Sequence, residues 1–131
     1  MPHVIVEYSR NIESDVEPHE LLGRLHEAMV ATKEFPLGGI RVRAAPRDLY
    51  IVADGNPAHG FVAVTLRIGR GRDEATRRRV ADTLMAALDG ATTHVFAKRG
   101  LSLSVEIQEI DEAGAARKNN LHEKVGSKPR G

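Results

Sequence analysis

The stretch Phe61-Val62-Ala63-Val64-Thr65-Leu66-Arg67-Ile68-Gly69-Arg70-Gly71-Arg72-Asp73-Glu74 decides the fold. Its first eight residues are nearly all apolar, which predicts a strand over 61–68 with both faces covered. Gly69 and Gly71 punctuate its end. Asp73 then suits a helix N-cap, and Glu74 suits the positive end of a first turn. Beyond it, Val80, Leu84, Ala87, Leu88, Ala91 and Val95 hold one stripe at helical spacing, predicting a helix near 73–96. The run Arg77-Arg78-Arg79 falls mostly outside that stripe and reads as a solvated face rather than a binding patch. Leu101, Leu103, Val105 and Ile107 alternate with Ser102, Ser104, Glu106 and Gln108, the pattern of a half-buried strand near 101–109.

The first half of the chain reads as the same strand–helix–strand unit. His3 to Tyr8 predicts a strand, and Leu21, Leu22, Leu25, Ala28, Met29 and Thr32 mark a helix near 16–32. Ser14-Asp15-Val16-Glu17 offers capping-box chemistry, and Pro18 suits the first turn. A strand near 39–46 closes the unit. Asp48 to Ile51 is expected to add a short edge strand, and Ala53-Asp54-Gly55-Asn56-Pro57 a turn. Right-handed crossovers place both helices on one side of the sheet. The fold class is therefore α+β: a two-layer sandwich of duplicated β-α-β units, with a four-stranded sheet and two helices on one face. The opposite face would be bare in a monomer, which predicts an oligomer. Residues 2–123 are expected to form one domain, and 124–131 a flexible tail.

Composition narrows the function classes. The 131 residues carry 19 basic and 18 acidic side chains, a balance that argues against a nucleic-acid partner. With no cysteine, disulfides, thiolate metal sites and cysteine nucleophiles are all excluded. Apolar runs fall far short of a membrane span, and no signal-peptide pattern opens the sequence, so the cytoplasm is the expected compartment. No two of the six histidines stand four apart on a helix, and no ligand set surrounds them, so no metal is expected.

Three groups of residues could carry chemistry. Pro2 follows Met1, and removal of the methionine would expose a prolyl secondary amine at the start of a buried strand. Free α-amino groups titrate near about 7.7–8.0, close to what a general base needs, and nearby cations or burial lower that value. Arg41 and Arg43 share one strand face and could clamp carboxylates, or simply pair with Asp48 or a glutamate. Gly69-Arg70-Gly71-Arg72 reads either as an anion-binding loop or as a glycine turn with solvated arginines. It lacks the Gly-Lys-Ser/Thr of a phosphate loop, and Glu74 stands where a dinucleotide fingerprint needs its third glycine.

Five segments together resemble the 5-carboxymethyl-2-hydroxymuconate Δ-isomerases of the tautomerase superfamily. They are Met1-Pro2-His3-Val4-Ile5-Val6-Glu7, Phe35-Pro36-Leu37-Gly38-Gly39-Ile40-Arg41, Ala53-Asp54-Gly55, Ile68-Gly69-Arg70-Gly71-Arg72 and Lys118-Asn119-Asn120-Leu121-His122. The resemblance spans about residues 2–122 and implies a homotrimer acting without a cofactor on a dienol carboxylate from homoprotocatechuate (4-hydroxyphenylacetate) degradation. It makes Pro2 the general base, Arg41 a carboxylate clamp and Arg72 the group that stabilises charge on the 2-oxygen. Arg43 is a weaker candidate for a second clamp. The alternatives are another amino-terminal-proline reaction, such as hydration or dehalogenation with Glu106 activating water, or a trimeric binding protein without activity.

Overall fold

The computed structural model describes residues 1–126. Four strands, β1 (His3–Ser9), β2 (Arg41–Arg47), β3 (Gly60–Gly69) and β4 (Leu101–Ile110), form one sheet in the order β2-β1-β3-β4. β1 runs parallel to β2 and β3 parallel to β4, while β1 and β3 meet antiparallel at the centre. Each parallel pair is joined by one long helix, α1 (Pro18–Ala31) or α2 (Glu74–Phe96). The duplicated β-α-β reading is thus the observed architecture.

The register sorts side chains onto two faces. Val4 lies opposite Val42 and Leu66, and Val64 opposite Val6 and Val105. With Val62, Leu66 and Ile68 they meet Leu25, Met29, Leu84 and Leu88 of the helices in one core. The other face carries His3, Ile5, Glu7, Arg43, Arg47, Thr65, Arg67, Glu106 and Gln108. Within the single chain only one face of 61–68 is covered: Phe61, Ala63 and Thr65 are half-buried on the other and Arg67 is exposed.

Three local expectations change. The cap of α1 is Glu17, whose carboxylate accepts from the Glu20 amide at 2.7 Å. Asp15 is instead drawn to the end of α2, where it pairs with Lys98 and Arg99, each at 2.9 Å. Asp48 to Ile51 forms no strand: Leu49 and Ile51 project into solvent, 96% and 87% exposed, and only Tyr50 packs, edge-on to Phe61. A third helix, α3 (Leu121–Val125), crosses the expected boundary at 123. Residues 127–131 of the expected tail lie outside the described residues. Asp73 caps α2 as anticipated, accepting from the Thr76 amide at 2.8 Å.

Candidate active site

The site forms at the beginning of β1, where three connections converge on the amino terminus. Pro2 is buried, and its carbonyl accepts from the Arg41 amide at 3.1 Å, which starts the β1–β2 pairing. The preceding turn, Leu37–Gly39, is a short 3-10 helix with two buried glycines. A methyl group at Gly39 would stand 3.3 Å from Pro2 Cδ, so the proline ring rests directly on that turn.

Arg41 points outward from β2 but folds back. Its Nη1 donates to the carbonyls of Gly39 at 2.8 Å and Gly38 at 3.4 Å. This holds the guanidinium beside the amino terminus and leaves its other donors for a ligand. Arg72 arrives from the β3–α2 loop. Gly71, at φ +120, makes the left-handed bend that turns it inward. Arg72 donates to the Glu34 carbonyl at 3.0 Å, lies 3.8 Å from the Glu34 carboxylate, and stacks 4.5 Å above the ring of buried Phe35. A guanidinium fixed by a carbonyl, a carboxylate and an aromatic face is pre-organised for an anion. Arg70, by contrast, is exposed.

The amino-terminal amine is held below its ordinary range. Burial is the largest cause, followed by the positive field of Arg117; Arg72 and Arg41 add to it, and Glu112 opposes it. The amine so described is that of Met1. After its removal the prolyl nitrogen would carry the amine one residue further in, facing the same guanidinium groups. In the chain as translated that nitrogen is an amide and has no basicity.

Arg43 does not join this cluster. It lies two residues along β2 on the open face, with Nη1 3.1 Å from His3 Nδ1. Burial, then Arg43 and Arg41, push the His3 imidazole below its usual value, so neutral His3 accepts this bond. Glu106 also sits on the open face, accepting from Gln108 at 3.0 Å. The arginine run of α2 is paired with acids: Arg77 with Glu109, Arg78 with Asp82, Arg79 with Glu34. These pairs leave it no character of an anion patch.

Four residues escaped the sequence reading: Glu34, Glu112, Arg117 and His122. Glu34 joins Arg72 to Arg79 and so ties the end of α1 to the start of α2. Glu112 and Arg117 pair at 2.9 Å. His122 packs on Gly38, and its Nδ1 is buried without a hydrogen-bond partner among the described residues. His122 closes a motif that carries the resemblance, which was its only signal; the others are ordinary charges until the fold assembles them.

Among the described residues there is no cluster of histidine, aspartate and glutamate able to hold a metal ion, and no helix is long and apolar enough to cross a membrane.

Comparison with known proteins places the whole chain beside one family. An Escherichia coli 5-carboxymethyl-2-hydroxymuconate Delta-isomerase is 34% identical over 122 residues, covering 93% of this chain and 97% of that protein. A crystal structure of a 5-carboxymethyl-2-hydroxymuconate isomerase from Deinococcus radiodurans R1 superposes with a TM-score of 0.88 at 41% identity, covering 94% of this chain and 92% of the other. A second solved 5-carboxymethyl-2-hydroxymuconate delta-isomerase gives a TM-score of 0.87 at 32% identity, covering 95% and 92%. The family model for 5-carboxymethyl-2-hydroxymuconate isomerase matches residues 2–125, and the chain belongs to that family.

Proposed function

We propose that this chain isomerises 5-carboxymethyl-2-hydroxymuconate to its 2-oxo isomer, in homoprotocatechuate (4-hydroxyphenylacetate) degradation, with Pro2 as the general base once Met1 is removed. The observation that carries this reading is the convergence of Arg41, Arg72 and Arg117 on a buried amino terminus. Their field and the burial favour the neutral form of an amine placed there, which is the form a base requires.

The reaction is a redistribution of one proton and two double bonds. The neutral prolyl nitrogen takes the proton of the 2-hydroxyl. The oxygen lone pair forms the carbonyl, and electron density moves along the diene to its far carbon. The prolinium nitrogen then returns a proton to that carbon, so base and substrate end in balance. Arg72, fixed on Phe35 and Glu34, stabilises the charge building on the 2-oxygen, and Arg41 clamps a carboxylate. The substrate's own conjugation delocalises the charge.

The open sheet face supports a homotrimer. Half-buried Ile5, Phe61 and Ala63 lie there among charges of both signs, a surface suited to copies of itself. In such an assembly Arg43 would serve a pocket only across a subunit boundary. The cytoplasm is the proposed compartment, in keeping with a small-molecule catabolic role.

The test is an ultraviolet assay of dienol conversion for wild type and Pro2→Ala, with intact mass confirming loss of Met1. Loss of the base should lower kcat by about 10²–10⁴-fold with KM little changed. Equal activity would remove Pro2 from the mechanism.

A further inference from the structure

The substrate named above has three carboxylates, two on the muconate and one on the carboxymethyl arm. Arg41 is assigned to one of them, and Arg72, at the 2-oxygen, stands at the neighbouring oxo-acid end. We propose that Arg117 is the third: it binds the carboxymethyl carboxylate and so sets specificity for the branched substrate. This rests on the reading just given.

The placement follows from two anchors of the C-terminal segment. At one end, a methyl group at Gly69 would stand 3.0 Å from Glu112 Oε1, so Glu112 lies against the base of the loop that delivers Arg72. At the other, a methyl at Gly38 would stand 2.8 Å from His122 Nδ1, so α3 is seated on the turn that holds Arg41. His122 Cε1 and Pro2 Cδ both approach the Cβ position of Gly39, at 3.9 and 3.3 Å. The chain between Glu112 and His122 is therefore strung from one arginine's support to the other's, past the amino terminus. Arg117 is five residues from either anchor. Consistent with that course, it exerts the largest single charge effect on the amino-terminal amine.

Arg117 is held ready rather than locked. Its one ion pair among the described residues, Nη1 to Glu112 Oε2 at 2.9 Å, uses part of the guanidinium fork, and both side chains remain accessible, 37% and 51% exposed. A carboxylate can take the free donors without breaking the pair, or displace Glu112. Glu112 in turn keeps a carboxylate between Arg117 and the Arg72 loop in the empty site, which limits repulsion among three cations.

The experiment compares two dienols, 5-carboxymethyl-2-hydroxymuconate and 2-hydroxymuconate, which lacks the carboxymethyl arm. Arg117→Ala should raise KM for the branched dienol by about tenfold to a hundredfold, the loss of one charge-assisted contact. Measured above the acid limb, where the amine is neutral with or without Arg117, it should leave kcat on the branched dienol within a few-fold, and KM for unbranched 2-hydroxymuconate nearly unchanged. Equal losses on both dienols would overturn the assignment. Calorimetric titration of Pro2→Ala with each dienol, with and without Arg117→Ala, reads the same contrast as binding; where Pro2→Ala stays active, KM for the two dienols in that background reads it instead. A selective loss of branched-dienol affinity there upholds the role of Arg117 even where Pro2→Ala stays active and the proposed base fails. No selective loss overturns it even where Pro2 is confirmed.

Discussion

Gly38→Ala tests whether α3 belongs to the working site. The added methyl would lie 2.8 Å from His122 Nδ1, 2.9 Å from its backbone nitrogen and 3.0 Å from its Cα. Two of those three atoms are backbone, so no rotamer of His122 relieves the contact. Gly38 lies in a 3-10 turn and has no positive φ, so alanine adds no backbone strain and the collision is the whole effect. Overpacking of this kind costs about 1–3 kcal/mol. Because α3 is short and rests on one turn, it should peel away rather than unfold the domain. The docked population then falls by about 5–150-fold relative to the undocked, the ratio equivalent to that energy. Amide hydrogen exchange at Leu121–Val125 should accelerate by that factor, while β1 and β3 keep their protection. Undocking also frees the segment that carries Arg117, so KM for the branched dienol should rise with it. Unchanged exchange at α3 in a folded Gly38→Ala protein would refute the packing argument. Gly39→Ala is the companion: its methyl meets Pro2 at 3.3 Å and should disturb kcat more than α3 protection.

Other outcomes follow from the same geometry. The acid limb of kcat/KM should lie below the ordinary amine range, because burial and three guanidinium groups favour the neutral amine; Arg72→Ala should move it upward, and an unmoved limb would remove that electrostatic role. Leu84→Ala, at a fully buried position of α2, should lower unfolding free energy by about 2–5 kcal/mol in urea titrations without altering the pH profile of activity. The hydrogen bond from Lys98, with the charges of Lys98 and Arg99, holds the Asp15 carboxyl below its usual value. That stabilisation is present above the unfolded carboxylate pKa of about 3.9 and lost as pH falls through the native value, so Asp15→Asn should flatten stability across the acid range in thermal melts. Light scattering at micromolar concentration should give three times the chain mass, and a monomer would contradict the open-face argument.

The contrast between what could and could not be read from the sequence has a physical pattern. Periodicity reports burial, so the four strands and the stripes of α1 and α2 were legible, as was the cap at Asp73, where the acceptor stands next to the first apolar turn. Asp48 to Ile51 misled because Leu49 and Ile51 alternate like a strand but have no neighbour to pair with among the described residues. The Ser14–Glu17 capping box misled for the opposite reason: Asp15 within it is drawn to Lys98 and Arg99, more than eighty residues away, and Glu17 itself caps α1. Local chemistry cannot weigh a partner that only the tertiary fold supplies.

The same distinction governs the site. Pro2, Arg41 and Arg72 could be put forward from the sequence because each has a local cause: a position, a strand start, a glycine loop. Arg117 has none. It stands in an irregular stretch between Glu112–Gly114 and α3, and its relevance comes from where those two anchors are fastened. The amine makes the point sharper. Of the charges that depress it, the largest effect comes from this residue far along the chain, ahead of the two arginines that the sequence singled out. A C-terminal segment that lays a cation beside an amino-terminal base couples the base's readiness to its own docking. Loosening α3 should therefore raise the amine's proton affinity as well as weaken binding. Gly38→Ala should shift the acid limb upward together with its effect on KM, whereas a segment serving packing alone would leave that limb in place.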